Sequence, residues 1–170
     1  MSTERIQTIL GELNKRQEEN RLNYYQPYAF QKRFHESGLD SNQRLLMAAN
    51  RVGKSYVGAM EMSAHLTGLY PDWWKGKRFD KPIRAWVCGA SNETTRDICQ
   101  KELFGQPDNP RDKGKGSIPK HLIGETTRKP GVPNAHSSVL VKHSTGGWSR
   151  VAFKAYEQGA EKFMGESLDL

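Results

Sequence analysis

The stretch that most narrows the possible folds lies at residues 45–55, where an unbroken apolar run meets a glycine, a lysine and a serine at the start of a helical pattern. Leu45, Leu46, Met47, Ala48 and Ala49 form a run too short for a typical helix and lacking polar alternation, so the expectation is a strand buried on both faces. Asn50, Arg51, Val52, Gly53, Lys54 and Ser55 follow at once. From Lys54 onward, Val57, Met60, Met62, Ala64 and Leu66 sit among small residues, a helix that Gly68 and Pro71 close. The order is strand, tight loop, helix.

That junction has a definite chemistry. A loop of the pattern G-x-x-x-x-G-K-[ST] embraces an anion, because glycines allow the tight turn, backbone N–H groups hold phosphate oxygens, lysine neutralises charge and the hydroxyl binds magnesium. Here Ala48 stands where the first glycine would be, while Gly53-Lys54-Ser55 is intact. Helix N-termini favour phosphate through their free N–H groups and dipole, which strengthens the reading. The similar triplet at Gly114 to Gly116 has no apolar run before it and no helix after it, and is set aside. The nucleotide-binding set is therefore Ala48, Ala49, Asn50, Arg51, Val52, Gly53, Lys54 and Ser55, with ATP and Mg2+ as the ligands. Lys54 is expected on the β- and γ-phosphates and Ser55 on the metal. Arg51 has two open readings, a catalytic guanidinium on the transferring phosphoryl group or an arginine facing solvent or DNA.

Around this junction the pattern is α/β. Ile6, Ile9, Leu10 and Leu13 recur at helical spacing and predict an amphipathic helix from about residue 3 to 22. A second buried run at 83–90 precedes a helix that Ser91 can cap. Residues 105–120 carry glycines and prolines between charges and are expected to leave the core as solvated loop. The runs SSVLVKH and RVAFKAY, separated by Gly146-Gly147, predict two adjacent antiparallel strands. Strand–helix alternation then implies a three-layer α/β domain with a mainly parallel sheet.

The 170 residues fit one core, and their formal charge of +7 favours polyanionic partners without choosing among them. Cys88 and Cys99 lack zinc-finger spacing or histidine partners, so neither a metal knuckle nor a disulfide framework is expected. His35, His65, His121, His136 and His143 share no ligand spacing and receive no role. No leader or membrane span is visible at the start, and a cytoplasmic protein is expected. Trp73 and Trp74 beside Lys75, Lys77 and Arg78 have two readings, packing or a DNA contact through those three cations.

Seven segments, YQPYAFQKRFHESG, RLLMAANRVGKS, GLYPDWWKGKRF, RAWVCGASNET, GSIPK, SVLVKH and YEQGAEKFMGESLDL, together resemble the large terminase subunits of tailed double-stranded DNA phages. The resemblance implies a P-loop NTPase-like fold, with residues 1–23 as an N-terminal helix and 24–170 as an incomplete ATPase domain ending before its Walker B strand, the nuclease domain being absent. It implies an adenine-reading glutamine, Gln31 with Tyr28 as a stacking partner, and Gln26 as the competitor. It accommodates Ala48, because family loops take an AxNRxGK[ST]-like form. It also implies a packaging motor acting on double-stranded DNA in the host cytoplasm, in a homo-oligomeric ring, with a portal protein and a small subunit as partners. A chain ending at Leu170 is then expected to bind nucleotide weakly or not at all and to hydrolyse it poorly. The competing readings are a non-catalytic interaction module and another P-loop ATPase such as a helicase.

Overall fold

The computed structural model describes residues 3–170. Helix α1, Thr3–Glu19, buries none of its residues; Ile6, Ile9, Leu10 and Leu13 do form one stripe, but each stays 42–52% exposed. After it the chain turns inward at Leu22 and Tyr25, both buried, and enters the short helix α2, Ala29–Glu36.

Helix α3, Lys54–Thr67, is the central element. Gly53 precedes it at φ 86° and Gly68 ends it at φ 68°, two left-handed positions that favour glycine because a Cβ would crowd the backbone there. One side of α3 places Ala59 and Leu66 on the sheet, while another places Met60 and Ala64 in an aromatic cluster with Leu22, Tyr25 and Trp74. Burial on two sides explains why apolar and small residues occur on more than one of its faces.

Strand β1, Arg84–Gly89, leads into α4, residues 92–104, which is capped by the Ser91 hydroxyl accepting from the Thr94 N–H. Within α4 the stretch Thr95–Gln100 is π-helical, before α-helical Lys101–Phe104. Strands β2, Ile123–Arg128, β3, His136–Lys142, and β4, Trp148–Ala155, complete a sheet of order β1-β4-β3-β2. The β1/β4 pair is parallel, with Ala85 opposite Val151 and Val87 opposite Phe153. The β4/β3 and β3/β2 pairs are antiparallel, the second interrupted by irregular register. Alternation puts Ala85, Val139, Val141, Val151 and Phe153 on one face against α3 and α4. On the other face Trp86 meets Phe163 and the Lys154 ammonium, 3.5 Å from its ring centre.

Three expectations are corrected. The sheet is mixed rather than mainly parallel, and its packed helices share one face, giving two layers among the described residues instead of three. Residues 45–49 are not a strand: Leu45 and Met47 are 81% exposed and the run pairs with nothing regular. Apolarity says what a strand would bury, but a strand also needs a neighbouring backbone. The second edge of β1 is already met by residues 169 and 170, where Leu170 N–H donates to Arg84 O at 3.3 Å and Trp86 N–H to Leu170 O at 3.1 Å. Residues 105–120, finally, leave the core only in part: Gln106 and residues 108–111 are exposed, whereas residues 116–119 are buried. Ser117 and Ile118 are at most 1% exposed, with their N–H groups donating to Glu102 and Leu103 carbonyls. Glycines let this irregular backbone thread close to α4, where a Cβ on Gly116 would strike Leu103.

Candidate nucleotide-binding site

The loop at 48–55 ends on the first turn of α3, so the N–H groups that open the helix face outward without intrahelical partners. Gly53 and Arg51 are both left-handed, Arg51 at φ 64° without the freedom of glycine, a conformation that non-glycine residues adopt rarely. Together they curl the chain between residues 50 and 54. The Lys54 ammonium turns back across this curl and donates to the carbonyls of Ala48 at 2.7 Å and Ala49 at 2.6 Å. Ser55 is exposed and borders a cleft of about 290 Å³ shared with Trp86, Val87 and Glu102. Asn50 and Arg51 are exposed, and Val52 is half-buried.

Gln31 lies beside this loop. It is 3% exposed, its Oε1 accepts from the Tyr28 N–H at 2.9 Å, and its Nε2 would stand 3.2 Å from a Cβ placed on Gly53. Gln26 is exposed and borders a different cleft, next to Gly68 and Trp73. Tyr28 is 70% exposed and stacks on Phe30 with ring centres 6.3 Å apart. The 48–55 loop and Gln31 are thus neighbours; Lys75, Lys77 and Arg78 sit elsewhere, on the loop after α3. Those three cations are exposed, but Trp74 is 4% exposed and donates its Nε1–H to Lys77 O, so that ring serves the interior.

What sequence reasoning missed lies further along the helix that the loop opens. Glu61 of α3 is 6% exposed and is surrounded by donors. His35 Nδ1 of α2 approaches its Oε2 at 2.9 Å, Arg44 pairs with its Oε1, and His65 Nε2 lies 3.5 Å from the same oxygen. Outward from these, Tyr25 Oη is 3.0 Å from His35 Nε2, and Tyr70 Oη is 3.0 Å from His65 Nδ1. Burial pushes the Glu61 carboxyl up, but the hydrogen bonds from His35, His65 and Arg44 outweigh it and hold the group well below the usual carboxylate range. Arg44 also donates to Phe34 O at 2.8 Å and lies over the Phe34 ring. One carboxylate therefore ties α2, which carries Gln31, and the approach to the loop, which carries Arg44, to α3, which carries Lys54 and Ser55. A signal was available: an acid and a histidine four apart, Glu61 and His65, inside an otherwise apolar helix.

An α/β sheet domain with a glycine–lysine–serine turn opening its central helix defines a class of candidate nucleotide-binding domains. Comparison with known proteins narrows this. Residues 45–170 match the family described as terminase large subunit, T4likevirus-type, N-terminal. A terminase large subunit of Salmonella phage P22 is 37% identical over 161 residues, covering 85% of this chain and 32% of that protein. The chain belongs to the terminase large subunit family and spans about a third of the length of that relative. No solved structure matches it.

Proposed function

We propose that this chain is the nucleotide-binding front part of a motor subunit that drives phage DNA into a capsid, and that alone it holds MgATP weakly and turns it over poorly. The observation that carries the reading is the turn at Gly53 and Lys54 on the N-terminus of α3, with Gln31 against Gly53. The residues fit a polyphosphate. Free N–H groups of the first turn, the Lys54 ammonium and the Ser55 hydroxyl would hold phosphate and magnesium, and Gln31 with Tyr28 would take the base. Magnesium, when bound, neutralises phosphate charge. Arg51, exposed in the curl, is within the same loop and is assigned to the phosphoryl group.

Two features of the loop weaken binding. The Lys54 ammonium is already shared by the Ala48 and Ala49 carbonyls, and residues 45–49 lack the sheet neighbours that would hold the loop rigid. Duplex DNA, a portal protein, a small subunit and copies of the same chain are the partners this reading entails, in the host cytoplasm. Among the described residues no helix is long and apolar enough to cross a membrane. A second reading, an interaction module without catalysis, is favoured by the half-exposed apolar stripe of α1.

Titration of a fluorescent ATP analogue with magnesium against wild type and Lys54→Ala separates the two. The motor reading expects weak binding that the substitution abolishes, and phosphate release no faster than the variant's. Equal binding by both proteins refutes the site.

A further inference from the structure

We infer that the cleft between the 105–113 segment and the β2–β3 turn is a binding site for a phosphate oxyanion, formed by Lys113, Arg128 and Lys129 around His136. The cleft measures about 640 Å³, within the size range of ligand sites, and shares no residue with the 48–55 loop. It is walled by Phe104 and Pro107 on one side and by Val132 and Ala135 on the other, and none of the residues lining it is acidic.

The charges are unspent. Lys115, two residues beyond Lys113, pairs with Asp112 at 3.1 Å and Glu18 at 3.9 Å, whereas Lys113, Arg128 and Lys129 enter no ion pair among the described residues. Acids in the neighbouring segments are otherwise occupied: Asp112 pairs with Lys115, Asp108 accepts from the Asn134 amide at 2.8 Å, and Asp97 pairs with Arg96 at 2.7 Å. His136 begins β3 between these cations. Gln100 clamps its backbone from both sides, donating to His136 O at 2.8 Å and accepting from its N–H at 2.9 Å, and the Phe104 ring stands edge-on to the imidazole. Fixed in this way, its Nδ1 is sealed from solvent and has no hydrogen-bond partner among the described residues. Buried polar atoms seldom go unpartnered, and such an atom calls for an explanation.

The explanation is electrostatic. Burial first, then the Lys113 and Arg128 charges, hold the imidazole below its ordinary titration range, so three positive or potentially positive groups from separate segments converge where no acid offsets them. Phosphate oxygens suit this arrangement: arginine and lysine donate to them, and their charge favours protonation of the neighbouring imidazole. Neutral or cationic ligands would leave the repulsion in place. Two sources carry this chemistry, the backbone of DNA and free phosphate.

Side-chain NMR of labelled histidine in the whole chain, in a Lys54→Ala background to silence the other loop, follows His136 through a pH titration. Inorganic phosphate and a short DNA duplex are added in separate arms. The expected result is a rise of the His136 midpoint toward or above about 6.5 with the probe that binds, lost in Lys113→Gln/Arg128→Gln. If DNA is the source, that double variant also lowers the salt-dependence slope of duplex binding by about 2. A rise with phosphate and none with duplex assigns the site to free anions. A midpoint that neither probe moves, or a rise that persists in the double variant, overturns the proposal.

Discussion

Removing the Glu61 carboxylate tests whether α2, the approach to the loop and α3 are held as one body. In Glu61→Ala the Arg44 guanidinium and the two imidazoles lose their shared acceptor while remaining largely enclosed, Arg44 at 17% and Glu61 at 8% side-chain exposure. Breaking a buried pair from one side costs roughly 3–5 kcal/mol, because the surviving charge is left without compensation. For a domain of this size each kcal/mol moves the midpoint by roughly 2–4 °C, so a fall of roughly 6–20 °C is expected. Urea and thermal unfolding followed by tryptophan fluorescence suit the question, since Trp73 and Trp74 both pack near His35, with ring centres at 6.0 and 4.8 Å. A double-mutant cycle with Arg44→Met isolates the pair, for which a coupling of about 1 kcal/mol or more is expected. A single-mutant loss below about 1 kcal/mol, or coupling indistinguishable from zero, refutes the account of Glu61 as the tie between these elements.

Other outcomes follow from the same structure. The folded Glu61 carboxyl titrates below its unfolded value, so its contribution is complete above the ordinary carboxylate range and is lost as pH falls below about 4.5 toward the folded value; Glu61→Gln should flatten that part of a stability-versus-pH curve, read by urea midpoints across acid pH. Ile118→Ala should cost roughly 2–5 kcal/mol in urea unfolding, the range for a fully buried aliphatic side chain, and a loss under about 0.5 kcal/mol would return residues 116–119 to solvent. Gly68→Ala should destabilise by more than about 1 kcal/mol in the same assay, because Gly68 is left-handed and a Cβ there would meet His143 and Ser144; equal stability would show that the α3 terminus can relax.

The elements legible in the sequence were those whose burial has a period. The run at 83–90, the alternation around Val139 and Val151, and the glycine stop after α3 each report a local environment, and each has its element in the structure. Strand β2 escaped notice because Ile123–Arg128 is an edge strand of mostly polar residues, held by its pairing to β3 rather than by an apolar face. The run at 45–49 misled for the opposite reason, being apolar with nothing to pair with. Of the candidate site, the glycine, lysine and serine were visible as neighbours in sequence, and so was Gln31 through resemblance. The carboxylate hub was not, since His35, Arg44 and Glu61 come from three separate stretches that only the tertiary fold brings together.

The ammonium of Lys54 rests on two oxygens of its own turn. Two of its three N–H donors are thereby engaged, so a negatively charged visitor finds one donor free and must compete with the peptide oxygens for the others. A lone halide has little with which to outbid the peptide oxygens. A chain of phosphates would reach the lysine and the helix amides at once, so under the proposed function this resting posture would favour a long anion over a small one.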